Sequence, residues 1–140
     1  MNLPALLYVE DEDGAAFLFE AAVAEAEAPV QLFRVSDGEQ ALAFLKKAGP
    51  YAKAPTPALI ILDLNLPRLN GFGLLDRMRD DEELAGIPVI MFTSSSLAAD
   101  RSRSLELGAR DFITKPSDLD EFFSTVKETC SRVVEAESVS

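Results

Sequence analysis

Leu59-Ile60-Ile61-Leu62-Asp63 is a run of four apolar residues closed by a carboxylate, and three other places in the chain repeat that design. Leu6-Leu7-Tyr8-Val9 runs into Glu10-Asp11, Val89-Ile90-Met91-Phe92 into Thr93, and Phe112-Ile113 is followed closely by Lys115-Pro116. Short unbroken apolar runs flanked by Pro, Gly and charge suit strands of a parallel sheet buried on both faces. If the strands are parallel, their C-terminal ends open on one edge, where open α/β sheets bind ligands. Three carboxylates, a hydroxyl and an ammonium would converge there.

The intervening segments have helical character. Asp13 to Glu27 is rich in Ala and Glu, with Asp13 as its expected cap. Ser36 and Glu39 suggest a capping box for Gln40 to Ala48. Phe72 to Arg79 places Leu74, Leu75 and Met78 at helical spacing, and Leu97 to Leu107 is stopped by Gly108, with Ser95 or Ser96 as expected cap. Ser117 and Asp120 are the expected caps of a last helix whose buried stripe is Leu119, Phe122, Phe123, Val126, Cys130 and Val133. Val30 to Val35 alternates as a strand near a sheet edge should. A β-α unit repeated five times with right-handed crossovers gives a doubly wound parallel sheet. Gly49 to Pro57 is a long Pro-rich connection before the third strand.

Composition narrows the chemistry. The 140 residues are expected to form one domain, 1–140, with a core from about residue 5 to 134 and a frayed tail at 135–140. A net charge of -11 argues against nucleic acid and against an anionic membrane surface. The N-terminus has no basic segment typical of a signal peptide, and the apolar runs are too short to span a bilayer. The single cysteine, Cys130, fits a reducing cytoplasm and reads as a semi-buried helix residue. With no histidine, there is no Ser-His-Asp triad, no Cys-His dyad and no His-containing zinc site. A histidine-phosphorylated kinase is excluded likewise.

Each element of the strand-end set has a plain structural explanation. Acids after the first strand suit a helix N-terminus, Asp63 suits a carboxylate satisfied by strand-end N–H groups, and Thr93-Ser94-Ser95-Ser96 suits a capping cluster. Taken together they point further. Several carboxylates without nitrogen or sulfur ligands suit Mg²⁺ or Mn²⁺, which would also hold like charges together.

On these residues the chain resembles the receiver domain of two-component response regulators, from about Leu6 to Val134. The resemblance rests on Glu10-Asp11, on Asp63 followed by Pro67 and Gly71, on Thr93-Ser94, and on Lys115-Pro116 preceded by Ala109 and Phe112. The long connection and Asp63-Leu64-Asn65-Leu66-Pro67-Arg68 are similar to stand-alone regulators paired with phytochrome-type histidine kinases.

The resemblance implies a flavodoxin-like five-stranded sheet, order 2-1-3-4-5, with five helices. It implies that Asp63 accepts a phosphoryl group from a sensor histidine kinase. Asp11, Asp63 and the backbone carbonyl of Asn65 would ligate Mg²⁺, and Glu10 would contribute through bound water. Lys115, Thr93 and Ser94 would face the phosphoryl oxygens. Phe112 would follow Thr93 inward and change the face of the fourth helix, fifth strand and last helix, for a downstream protein or a second copy. Phe112 stands where many members have Tyr, and Glu10 where some have Asp. The implied protein is a switch and not an enzyme on an external substrate. Asn65 stands where a haloacid dehalogenase-type phosphatase needs a second aspartate, and no Gly-rich loop follows the first strand as in a nucleotide-binding fold. A receiver fold that binds proteins without phosphorylation is the remaining alternative.

Overall fold

The computed structural model describes the backbone of residues 3–139 and the side chains through Val133. Strands β1 (Ala5–Val9), β2 (Gln31–Val35), β3 (Leu59–Leu62), β4 (Val89–Thr93) and β5 (Asp111–Thr114) alternate with helices α1 (Asp13–Glu25), α2 (Gly38–Leu45), α3 (Gly71–Arg79), α4 (Ala98–Glu106) and α5 (Leu119–Val139). All strand pairs are parallel, in the order β2-β1-β3-β4-β5. Leu7 lies opposite Ile60, Ile61 opposite Ile90, and Met91 opposite Phe112.

The apolar runs are unbroken because both faces of the sheet are covered. Leu7, Val9, Ile60, Leu62 and Met91 pack towards α2 and α3 with Phe44, Leu74 and Met78. Their neighbours Leu6, Tyr8, Ile61, Ile90 and Phe92 pack towards α1 and α5 with Phe19, Phe122 and Val126. The strand period of two sorts each run between two cores. The order in which strands are added reverses between β1 and β3, which opens a crevice beyond their C-terminal ends.

The caps differ from expectation. Asp37, not Ser36, caps α2 by accepting the Gln40 N–H at 2.7 Å, while Gln40 reaches back to the Ser36 N–H at 2.8 Å. The helix starts at Gly38, so Asp37 holds the cap position and its carboxylate meets the third helical N–H. Asp13 is the first helical residue of α1, with Glu12 at the cap position, and pairs with Arg34. Leu97 occupies the cap of α4, because Ser95 forms its own turn by accepting the Leu97 N–H. Asp118, rather than Ser117 or Asp120, accepts the Glu121 N–H at the start of α5. The tail expected at 135–140 is described as helical backbone of α5 through Val139, and Ser140 lies outside the described residues. Cys130 is fully buried rather than semi-buried. Gly49–Tyr51 forms one 3-10 turn in the Pro-rich connection, where Tyr51 packs on Phe44.

Two glycines let helices approach the loop after β3. A Cβ on Gly71 would lie 2.7 Å from the Asp63 carbonyl oxygen, and one on Gly38 would lie 1.8 Å from the Leu69 carbonyl oxygen. Only glycine fits at such contacts.

Candidate phosphoacceptor site

Asp63 follows β3 directly, at the crevice, and is 8% exposed. Its Oδ1 accepts the Leu64 N–H at 2.7 Å and lies 3.5 Å from the Asn65 N. Its Oδ2 lies 3.4 Å from the Lys115 Nζ. Lys115 arrives from the far side because its own N–H is bonded to the Thr93 carbonyl at 2.7 Å, continuing the β4–β5 pairing past the strand end.

Lys115 is closer to Glu10, whose Oε1 accepts its ammonium at 2.6 Å. Glu10 is wholly buried and held at every polar atom. Oε1 also accepts the Tyr8 hydroxyl at 3.3 Å, and Oε2 accepts the Glu12 N–H at 3.2 Å. Its carbonyl accepts Arg34 Nε at 2.9 Å and Nη2 at 2.7 Å, and its N–H donates to the Val35 carbonyl. Asp11 is exposed beside them.

Carboxylate oxygens of Glu10, Asp11 and Asp63 lie within 4.8 Å of one another. Three negative groups this close, with only oxygen donors, fit a hard divalent cation. The electrostatics agree. Burial first, and then the Glu10 charge, raise the Asp63 carboxyl above its ordinary range against the pull of Lys115. Burial lowers the Lys115 ammonium, but the Glu10 hydrogen bond and the Asp63 charge outweigh it, and the net direction is up. Lys115 therefore stays charged, and Asp63 is harder to ionise than an ordinary carboxylate.

The remaining expected residues lie round this centre. Thr93 is buried at the end of β4, with its hydroxyl oxygen accepting the Ser95 N–H at 3.3 Å. Ser94 and Asn65 are exposed. Phe112 is buried in the core beside Met91, and its carbonyl accepts Arg101 Nη1 of α4 at 3.1 Å.

Several contributors were not singled out from sequence. Tyr8 reads as one more apolar strand residue, although its place two before Glu10 puts both on one side of β1. Arg34 is opposite Tyr8 in register, which only the pairing reveals. Asp37 and Arg68 pair at 2.9 Å, tying the start of α2 to the loop after Asp63. Burial opposes the Asp37 charge, but the Gln40 N–H and the Arg68 guanidinium hold its carboxyl below the usual range. Ser95 links three elements. It donates to Asp100 at 2.6 Å, and its carbonyl accepts the Thr114 hydroxyl at 2.8 Å.

Residues 6–127 match the response regulator receiver domain. The chain belongs to that family. It is therefore a receiver domain of two-component signalling, and its relatives include regulators of phytochrome signalling. The response regulator Rcp1 of Synechocystis sp. is 34% identical over 122 residues, which cover 87% of this chain and 83% of that protein. A crystal structure of the phosphorylated cyanobacterial phytochrome response regulator RcpA superposes with a TM-score of 0.85 at 34% identity, over 92% of this chain and 91% of that one. The Mn²⁺-bound form of Rcp1 gives a TM-score of 0.84 at 33% identity, over 91% and 92%. Other curated relatives are longer: the chain spans 39% of a probable transcriptional regulator of Porphyridium aerugineum, at 36% identity. Among the described residues no helix is long and apolar enough to cross a membrane.

Proposed function

We propose that Asp63 accepts a phosphoryl group from the phosphohistidine of a sensor histidine kinase of the phytochrome type, and that the modified domain passes the signal on through a protein-binding face. The observation that carries this reading is the position of Asp63: at the mouth of the crevice, with Lys115 at 3.4 Å and two further carboxylates beside it.

One Asp63 carboxylate oxygen attacks phosphorus. A P–O bond forms as the donor P–N bond breaks, and the electron pair returns to the imidazole ring. Such transfer needs mainly alignment and charge neutralisation. Asp11, Asp63 and the Asn65 carbonyl would hold Mg²⁺, with Mn²⁺ as a substitute, and Glu10 would act through water because its own oxygens are engaged by Lys115, Tyr8 and Glu12. When bound, the metal supplies positive charge beside the phosphoryl oxygens. Lys115 supplies the second positive group by moving its ammonium from Glu10. The Thr93 hydroxyl and the exposed Ser94 complete the phosphoryl contacts, the former after releasing the Ser95 N–H.

Output follows from what Thr93 holds. Freeing Ser95 disturbs its bonds to Asp100 and Thr114, and these fix α4 against β5. Phe112 and its Arg101 contact then readjust, which changes the face of α4, β5 and α5 for a downstream protein or a second copy. Leu97 at the cap of α4 and Leu105 within it are already exposed. Incubation with Mg²⁺ and a small phosphodonor should add one phosphoryl group to the protein and none to Asp63→Asn. Equal labelling of the two removes the assignment.

A further inference from the structure

Glu10 is wholly buried and shares Oε1 between two donors, the Lys115 ammonium at 2.6 Å and the Tyr8 hydroxyl at 3.3 Å. The two donors differ in freedom. Lys115 is a long side chain 17% exposed at the crevice, between two carboxylates. Tyr8 is confined: it lies within β1, paired on both sides, fully buried, and stacked on Phe19 with ring centroids 3.9 Å apart and planes 14° from parallel. Arg34, opposite Tyr8, pins the Glu10 carbonyl through two nitrogens. Lys115 is the member of this cluster with room to move.

We infer that Tyr8 is a positioning residue whose hydroxyl holds the buried Glu10 carboxylate in place when Lys115 leaves it for the phosphoryl group on Asp63. This rests on the phosphoacceptor reading above. A buried carboxylate that loses a donor incurs its desolvation cost unless another donor remains. Tyr8 is that donor, and the Glu12 N–H serves the other oxygen. Being neutral, the phenol satisfies Glu10 without cancelling the negative charge that attracts a cation. The hydroxyl therefore matters more after phosphorylation than before it.

Beryllofluoride with Mg²⁺, a phosphoryl mimic, tests this. Tyr8→Phe keeps the aromatic stack and removes the hydroxyl. It should weaken beryllofluoride affinity about tenfold or more, the size of one hydrogen bond to a charged acceptor, and leave Mg²⁺ affinity within about twofold. Phe19→Leu disturbs the same packing but keeps the hydroxyl, and should lower the melting temperature without changing beryllofluoride affinity. In the wild type, the Tyr8 hydroxyl proton should move downfield in the NMR spectrum on adding beryllofluoride, as its bond to Glu10 tightens. Wild-type affinity in Tyr8→Phe, equal loss in Phe19→Leu, or an unmoved hydroxyl resonance overturns the inference alone. A wild-type protein that ignores beryllofluoride overturns the phosphoacceptor reading and this inference with it.

Discussion

Replacing Lys115 with Met removes the ammonium and keeps most of the stem. At 2.6 Å from Glu10 and 3.4 Å from Asp63, the gross attraction is on the order of 5 kcal/mol per pair at an effective dielectric of about 20. Desolvation of the three groups offsets most of it. Removing one partner of a buried pair typically costs about 3–5 kcal/mol, and Tyr8, Glu12 and Leu64 donors remain, which favours the lower end. A loss of about 3 kcal/mol lowers the melting temperature of a domain this size by roughly 10 °C.

The loss also depends on pH. The folded Asp63 carboxyl already lies above its ordinary value, so its stability contribution is present in acid and fades as pH rises through the raised value. Lys115 lowers that value, and deleting it raises the carboxyl further. The ammonium itself, raised in the fold, stays charged through neutral pH. Destabilisation by Lys115→Met should therefore be largest at neutral to mildly alkaline pH and shrink as the pH is lowered and the carboxyl takes up a proton. Urea unfolding in EDTA at several pH values, followed by circular dichroism, measures it. A variant as stable as wild type at pH 7.5, or a deficit independent of pH, refutes the reasoning.

Three further outcomes follow from the geometry. Mg²⁺ at millimolar concentration should raise the melting temperature by mass action, and Asp11→Ala should lose most of that rise in scanning calorimetry. Gly38→Ala, which would place a Cβ 1.8 Å from the Leu69 carbonyl oxygen, should cost about 2 kcal/mol or more in urea unfolding. Cys130 is buried, and burial pushes its thiol up to about 11, so alkylation near neutral pH should be slow in the native protein and fast in urea.

The sheet was legible because buried parallel strands leave a strong mark: apolar runs between Pro, Gly and charge, each ending in a functional group. The strand order came from the resemblance. Helix caps were less legible, since Ser36 and Asp37, or Ser117 and Asp118, compete within one residue and only the local backbone decides. Strand ends pointed to Glu10, Asp11, Asp63, Thr93 and Lys115, and the structure brings Glu10, Asp11, Asp63 and Lys115 together. The primary partner of Lys115 was hidden, because its preference for Glu10 over Asp63 depends on side-chain reach across the crevice. Arg34, Arg68 and the Ser95 links were hidden for a related reason. Their partners are distant in sequence or lie in irregular loops, where no periodicity announces a contact.

Locating the phosphoryl group at residue level tests the central claim most directly. After exposure to Mg²⁺ and a small phosphodonor, borohydride reduction converts an aspartyl phosphate to homoserine, and peptide mass spectrometry then finds the converted position. The expected result is conversion at Asp63, abolished by leaving out the phosphodonor. Conversion at Asp11 or another carboxylate with Asp63 intact, or no conversion at any carboxylate, would contradict it.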